Sequence, residues 1–127
     1  MSRVTDMDNV FYVGTSSSSM HLFNANISNW DVSSVTDMSD MLYGATSFNA
    51  DISNWDVSVV IEMQFMFFEA KSFNVDISDW NVSSVTDMGY MFCRATSFTR
   101  TLCGAWRTSN AEMDYMFFDS HGQICKR

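Results

Sequence analysis

Hydrophobic and polar positions follow a 25-residue period along most of the chain. The period is clearest in four columns: Phe23, Phe48, Phe73 and Phe98; Ile27, Ile52, Ile77 and Leu102; Val32, Val57 and Val82; and Met38, Met63, Met88 and Met113. So many columns in one register indicate one short unit that has been copied several times. We therefore predict a repeat protein whose neighbouring units stack against each other.

Two hydrophobic periods follow one another within each unit. Residues 27–32 alternate between two faces and carry β-branched and aromatic side chains, which is typical of a short strand. Met38, Met41, Leu42 and Ala45 lie at i, i+3, i+4 and i+7, the spacing of one face of a short helix. The unit therefore predicts a strand, a turn, about two turns of helix and a return loop.

One unit is too small to fold alone. It offers about eight core side chains worth roughly 2 kcal/mol each, whereas ordering its residues costs about 1.5 kcal/mol apiece. Burial must therefore be shared between stacked units. The fold class that we predict is a repeat solenoid, a right-handed parallel β-solenoid with short helices and about five coils of 25 residues.

The two ends depart from the unit, as capping segments do. We divide the chain into a partial N-terminal repeat with a Ser-rich loop (1–22), three full repeats (23–97) and a degenerate C-terminal capping repeat (98–127). The chain starts in the middle of a unit, without a basic region followed by an apolar run, so no secretory signal is expected. No membrane-spanning segment is expected either, because no stretch approaches about 18 apolar residues.

The net charge of the chain bears on which classes of partner it can bind. Fifteen acidic residues against 7 basic ones give a net charge of −8, which argues against a nucleic acid. Acidic residues in the repeated columns could share a hard cation such as calcium, and the weak candidates are Asp31, Asp51, Asp56 and Asp76. The alternative is that these side chains hydrogen-bond the local backbone at turns. Asp and Asn replace each other between units in these columns, which favours the hydrogen-bonding role over a cation site, because that role needs an acceptor but no charge.

The three cysteines cannot all pair. Cys103 and Cys125 are 22 residues apart, nearly one coil, so they could lie close on adjacent turns and form a disulfide at the C-terminal end. Such a bond would imply an oxidising compartment. Cys93 shares a column with Tyr43 and Phe68 and is predicted to be a free buried thiol.

Catalytic and cofactor signals are weak. His21 and His121 have no Ser, Cys or carboxylate partner fixed by the register, so we expect no enzyme. No Cys pair with histidines indicates zinc, and methionine columns are typical of core filling rather than of copper or haem ligation. No cofactor is expected. Asn26 and Asn81 stand in formal glycosylation sequons, which matter only for a secreted eukaryotic chain.

Two segments resemble a known family. The sequences FNADISNWDVS (48–58) and VTDMGYMF (85–92) are similar to BspA-like leucine-rich-repeat surface proteins. More narrowly, they resemble the 25-residue NWDVSxVTDMxxMF branch, a repeat of unknown function in Mycoplasma-type lipoproteins, and the resemblance covers about residues 1 to 118. The resemblance implies a leucine-rich-repeat-like solenoid, an extracellular or cell-surface location and a role in adhesion or interaction, with no catalytic residues.

The leading functional hypothesis is therefore a non-enzymatic adhesion or interaction protein that binds other proteins or glycans. The predicted binding wall consists of Ser28, Asn29, Ser53, Asn54, Ser78 and Asp79. One alternative is a structural subunit that self-associates end to end in a sheath or fibre. Another is an ice- or mineral-surface binder, although Thr36, Ile61 and Thr86 form only a broken threonine rank.

Overall fold

Regular secondary structure is sparse in this protein. The structure is a computed structural model that describes residues 21–126. Its elements are strand β1 (Thr101–Leu102), helix α1 (Ala105–Thr108) and strand β2 (Gln123–Ile124). The two strands pair in parallel, with Thr101 opposite Gln123 and Leu102 opposite Ile124.

The predicted fold class is wrong. A right-handed, leucine-rich-repeat-like parallel β-solenoid with short helices and about five coils requires a long parallel sheet and one helix per unit. The described part of the chain instead has a two-stranded sheet and a single four-residue helix. The predicted N-terminal partial repeat with its Ser-rich loop falls almost wholly on residues 1–20, outside the described residues.

Consecutive β-turns replace the predicted strand and helix. In each turn the backbone N–H of the fourth residue donates to the carbonyl of the first. The turns of one segment are Ile27–Trp30, Val32–Val35, Met38–Met41, Leu42–Ala45 and Ala45–Phe48. The same turns recur 25 residues later, at 52–55, 57–60, 63–66, 67–70 and 70–73. The local conformation is therefore a chain of tight bends.

The turns also explain why the helix prediction failed. Two successive four-residue turns, 38–41 and 42–45, put their first and fourth residues at i, i+3, i+4 and i+7, which is also the spacing of a helix face. The third residue of each turn has a positive φ, 59° at Asp40 and 73° at Gly44, whereas a helix needs about −63°. Hydrophobic spacing alone cannot distinguish these two conformations.

Neighbouring segments are joined by backbone hydrogen bonds. Met38 N–H donates to the Glu62 carbonyl at 2.9 Å and Gly44 N–H to the Phe68 carbonyl at 2.7 Å, with two further bonds at alternate residues between them. We call the four stacked stretches 37–45, 62–70, 87–95 and 112–120 the turn wall. Isolated parallel bridges run through it from Asp37 to Glu62, from Glu62 to Asp87 and from Asp87 to Glu112.

The side chains of the core belong mainly to the first and last residues of the turns, which point into the interior of the stack. One aromatic rank joins Phe23, Phe48, Phe73 and Phe98, with ring centroids 5.8, 6.1 and 5.9 Å apart. Trp80 is 2% exposed, and its Nε1–H donates to the Ile52 carbonyl at 3.1 Å. The indole of each buried tryptophan thus fills the core and satisfies a main-chain acceptor of the preceding segment.

The C-terminal segment keeps this tryptophan contact by a different route. Trp106 is displaced by one residue from the 25-residue register and lies on α1. It is fully buried, and its Nε1–H donates to the Ile77 carbonyl at 3.0 Å. The short helix takes up the extra residue, so the indole reaches the equivalent position.

Candidate interaction surfaces

An exposed row of polar side chains follows the stacked segments. Asn29, Asn54 and Asp79 are exposed, one on each segment at the 25-residue spacing. None of the three side chains has a hydrogen-bond partner among residues 21–126. We call these three residues the polar row. It forms the exposed half of the predicted binding wall.

The other half of that wall has a structural task. Ser28, Ser53 and Ser78 are half-buried. Their backbone N–H groups donate to the side-chain oxygens of Asn26, Asp51 and Asp76, respectively, at 2.9 to 3.0 Å. The serines therefore fix the turns that present the polar row.

The four cation candidates are engaged in the same local chemistry. Asp51 Oδ1 accepts from the N–H of Ser53 at 2.9 Å and from its hydroxyl at 2.6 Å, and the pairs Asp31–Ser33 and Asp56–Ser58 repeat this arrangement. Hydrogen bonds from Ser53 lower the pKa of Asp51, because they stabilise the ionised carboxylate.

Charge is not needed for this role. Asn81 occupies the column of Asp31 and Asp56, and its Oδ1 accepts from the Ser83 N–H at 3.1 Å. Within residues 21–126 no group of three or more His, Cys, Asp or Glu side chains is arranged to hold a metal ion. The structure places the four candidate carboxylates in separate turns; Asp31 and Asp56 are near enough to repel each other, but no three of the four form a ligand set.

A shallow polar groove lies beside the N-terminal part of the polar row. It measures about 560 Å³ and is lined by Asn24, Asn26, Ser28, Ala50, Asp51 and Asn54. Asn24 Oδ1 accepts from the Asn49 N–H at 2.8 Å, and Asn49 Oδ1 accepts in turn from the Asn74 N–H at 2.8 Å. This chain of side-chain amides holds the groove floor at a fixed spacing.

The two sequon asparagines lie at the surface. Asn26 and Asn81 are both exposed, and each side-chain oxygen accepts from the backbone N–H two residues later. Their glycosylation stays a prediction.

Two of the three cysteines are joined by a disulfide and the third is a free thiol. Cys103 and Cys125 form a disulfide with a Cα–Cα distance of 4.7 Å. It directly follows β1 and β2, so it fastens the returning C-terminal segment to the stack. Cys93 is free and buried, and burial raises the pKa of its thiol.

The histidines form no catalytic arrangement in the described part of the chain. His21 and His121 are both exposed. His21 accepts a bond from the Thr46 hydroxyl through its backbone carbonyl, and His121 donates its backbone N–H to Phe98. Neither imidazole hydrogen-bonds a Ser, Cys or carboxylate side chain of residues 21–126.

Sequence reasoning missed one surface, the last stretch of the turn wall. The inner stretches send their alternate N–H groups to the next stretch, as Met88 and Arg94 do to Glu112 and Phe118 at 2.7 Å. Stretch 112–120 has no further stretch beyond it within residues 21–126. We call the backbone of 111–119 that faces away from the stack the open edge.

Exposed aromatic side chains mark this edge. Tyr115 is 61% exposed and Phe118 is 52% exposed. Tyr115 stacks on Tyr90 with ring centroids 5.2 Å apart. The degenerate repeat at 98–127 indicated an end, and the alternative of end-to-end self-association assumed unpaired ends, but neither identified which backbone groups are exposed there.

Comparison with known proteins places the chain in a family. A family model described as "Mycoplasma protein of unknown function, DUF285" matches residues 5–124. Searches of the curated proteins and of the solved structures found no match. The family match confirms the predicted similarity to a Mycoplasma repeat of unknown function and leaves the BspA-like leucine-rich-repeat assignment unconfirmed. Since the match covers most of its length, the chain belongs to the family of Mycoplasma protein of unknown function, DUF285.

Proposed function

We propose that this chain is a non-enzymatic interaction protein that binds another protein or a glycan through the polar row. The observation that carries the proposal is the state of Asn29, Asn54 and Asp79. They are exposed and have no hydrogen-bond partner among residues 21–126, whereas the polar columns on either side are engaged in turns.

The chemistry of the row suits hydroxyl- and amide-bearing ligands. An asparagine amide offers donors and acceptors together, and a carboxylate offers acceptors. Rings at equivalent positions of neighbouring segments lie 6.1 Å apart at Phe48 and Phe73 and 6.5 Å apart at Trp55 and Trp80, so adjacent groups of the row can engage one extended ligand. Because the turns are fixed by hydrogen bonds and core packing, little ordering entropy is lost when a ligand binds.

We further propose an extracellular or cell-surface location. Its supports are the resemblance to BspA-like surface proteins and the Cys103–Cys125 disulfide, since such bonds persist in oxidising compartments. No helix within residues 21–126 is both long and apolar enough to cross a bilayer.

A binding screen tests the role of the polar row. The wild-type chain is applied to a glycan array and to an array of extracellular proteins. The triple variant Asn29→Ala, Asn54→Ala and Asp79→Ala is expected to lose at least about tenfold in affinity, which is about 1.4 kcal/mol.

The matched control changes another polar column at the same spacing, with Ser47→Ala, Ser72→Ala and Ser97→Ala. This variant is expected to bind like wild type. An equal loss in both triple variants, with unchanged thermal unfolding, would contradict the proposal, and so would an absence of binding on both arrays.

A structural role is the second candidate. The open edge carries unpartnered backbone groups, which favours addition of further chains end to end in a sheath or fibre. Electron microscopy and light scattering across a range of concentrations distinguish this role. A concentration-independent monomer would argue against it.

Ice or mineral binding is the third candidate. Thr36, Ile61 and Thr86 are all exposed and align on consecutive segments. The isoleucine interrupts the threonine rank, so only a weak match to a lattice is expected. A thermal-hysteresis assay tests it, and a null result removes ice binding.

A further inference from the structure

The open edge presents a defined series of backbone groups. Inside the turn wall, each parallel bridge pairs one residue with the neighbouring stretch: Glu62 N–H donates to the Thr36 carbonyl at 3.3 Å, and Glu62 C=O accepts from Met38 N–H at 2.9 Å. The equivalent groups at the edge are the Ala111 carbonyl and the Met113 N–H. Neither has a partner among residues 21–126.

The series of donors continues beyond this bridge. Tyr90, Phe92 and Arg94 donate their N–H groups to the last stretch. By the same register, the N–H groups of the last stretch that face outward belong to Tyr115, Phe117 and Asp119. These three donors also lack partners within the described part of the chain.

The chain beyond the turn wall does not cover these groups. Residues 121–125 instead stack in parallel on the segment that contains β1, where Gln123 N–H donates to Arg100 C=O and Cys125 N–H to Leu102 C=O. The disulfide holds this segment in place. Gly122 lies against the Phe98 and Phe117 rings, and no backbone group of residues 21–126 bonds the outward N–H groups of 113–119.

The side chains around the edge are apolar and acidic. Met113 and Phe117 are half-exposed, whereas their counterparts Met88 and Phe92 are fully buried. Glu112, Asp114 and Asp119 are exposed, and residues 111–119 contain no basic side chain. The surface therefore offers unpaired main-chain groups, apolar contact area and negative charge together.

We propose that the open edge binds an extended, basic peptide segment of another protein by main-chain pairing. One peptide residue donates its N–H to the Ala111 carbonyl and accepts from Met113 N–H through its own carbonyl. The carbonyl two residues later accepts from Tyr115 N–H, and there the peptide bends as the stretch 63–66 does where Gln64 C=O accepts from Asp40 N–H. Apolar side chains of the peptide pack on Tyr115 and Phe118, and its lysines or arginines face Glu112 and Asp114. This is strand addition to an exposed edge.

Two features make a symmetric pair of copies a weaker occupant of the open edge than a basic peptide. A symmetric pair would bring N–H donors against the same donors, which cannot bond to each other. Each copy also carries a net charge of −8, so approach of a like chain is opposed by repulsion. A basic peptide removes both difficulties.

Amide hydrogen exchange tests the site directly. The probe is a short acetylated and amidated peptide in which lysine alternates with valine and phenylalanine. Met113, Tyr115, Phe117 and Asp119 are expected to exchange fast in the free protein. At a peptide concentration ten times its Kd, exchange at Met113 and Tyr115 should slow by about tenfold. Met88 and Tyr90, which are already bonded, are the internal control.

Two altered peptides test the chemistry. Replacement of the lysines by glutamate, or N-methylation of the amide that faces Ala111, is expected to weaken binding at least about tenfold, or 1.4 kcal/mol. In the protein, Asp114→Lys should weaken binding of the lysine peptide, whereas Asp79→Lys should not. Asp79 belongs to the polar row. The peptide experiment therefore tests the open edge separately from the proposal that the polar row binds a ligand.

Three outcomes would overturn the inference: slow exchange of the edge amides in the free monomer, peptide protection confined to other amides, or equal binding of the glutamate peptide. Protection that rises with protein concentration and without peptide would identify a second copy as the occupant, and would also overturn it.

Discussion

A side-chain oxygen placed two residues before an N–H group stabilises many of the turns within residues 21–126. Asp51, Asp56 and Asp76 each accept from the serine two residues later. Aspartate and asparagine are favoured in turns because they can make this bond. The acidic columns are therefore explained by backbone geometry, and charge adds only a pH dependence.

Substitutions of Asp56 can separate the contribution of its hydrogen bond from the contribution of its negative charge. Asp56→Asn keeps an acceptor for the Ser58 N–H and should leave stability at neutral pH nearly unchanged, since Asn81 already occupies this column. Asp56→Ala removes the acceptor and should lower the free energy of unfolding by about 1 kcal/mol or less. Urea unfolding at pH 7 measures both.

The same position predicts an acid effect. Hydrogen bonds from Ser58 lower the pKa of Asp56 in the folded state. A lowered folded pKa contributes stability above the unfolded value, about 3.9 for aspartate, and this stability is lost as the pH falls through the folded pKa. Between neutral pH and pH 3, the free energy of unfolding should therefore fall less steeply for Asp56→Asn than for the wild type. An unchanged slope would contradict the assignment.

Left-handed backbone is the second feature at the residue scale. Seven non-glycine residues among those described have a positive φ, all of them third residues of turn-wall turns: Asp40, Phe65, Glu69, Tyr90, Arg94, Tyr115 and Asp119. Gly44 adopts the same conformation, with φ at 73°. A side chain in this region costs roughly 1–2 kcal/mol relative to the right-handed region.

At equivalent left-handed positions, replacing a glycine and introducing a glycine should therefore change the stability of the chain in opposite directions. Gly44→Ala should destabilise the chain by about 1–2 kcal/mol. Arg94→Gly should stabilise it by up to about 1 kcal/mol, because relief of strain exceeds the added entropy of the unfolded glycine. Arg94→Ala is the control, since it loses the exposed ion pair with Glu69 without relieving strain. Thermal unfolding distinguishes the three, and a stabilised Gly44→Ala would contradict the account.

At the scale of elements, the C-terminal segment holds the α-helix and both strands of the described residues. Strands of two residues cannot be stable by themselves. The β1–β2 pair persists because Cys103 and Cys125 are bonded directly after it and Leu102 is fully buried. The disulfide therefore carries a large share of the stability of this end.

Removal of the disulfide should loosen this end. The double variant Cys103→Ser and Cys125→Ser should lose about 3 kcal/mol, the value for a closed loop of this length. Amides of Gln123 and Cys125 should exchange faster, whereas those of Met63 and Phe67 should change less. Reducing agent should lower the Tm of the wild type and leave the double variant unaffected. An equal response of both would contradict the prediction.

At the scale of the whole molecule, stacking makes the core continuous. Phe73 is fully buried between Phe48 and Phe98, and it also stacks on Phe67 at 4.1 Å. Phe23, at the N-terminal end of this rank within the described residues, is only half-buried. Burial along this rank therefore increases from Phe23 inward, and Phe98 at its other end is also fully buried.

Truncation of the central ring should affect the whole fold. Phe73→Ala should cost about 3–5 kcal/mol, a large part of the 5–15 kcal/mol that holds a typical domain together. Phe23→Ala, the control, should cost clearly less because less area is buried. Denaturant unfolding followed by tryptophan fluorescence measures both. Equal losses would contradict a rank whose burial increases from Phe23 inward.

The sequence by itself determined which side chains form the core. Recurrence of Phe, Met, Val and Trp at 25 residues identified Phe48, Met63, Val82 and Trp80 as interior positions, and each is buried. It also indicated that the acidic columns are turn acceptors. These features follow from composition and spacing, because burial and turn capping select particular side chains.

Only the tertiary structure decided the backbone conformation. Paired β-turns and one face of a helix place hydrophobic residues at the same spacing, so the pattern at Met38 and Met41 could not separate them. The hydrogen bonds that choose the turns come from the next segment, as from Met38 N–H to Glu62. The open edge was hidden for the same reason, since an unpaired N–H at Met113 or Tyr115 is a property of what lies beside it.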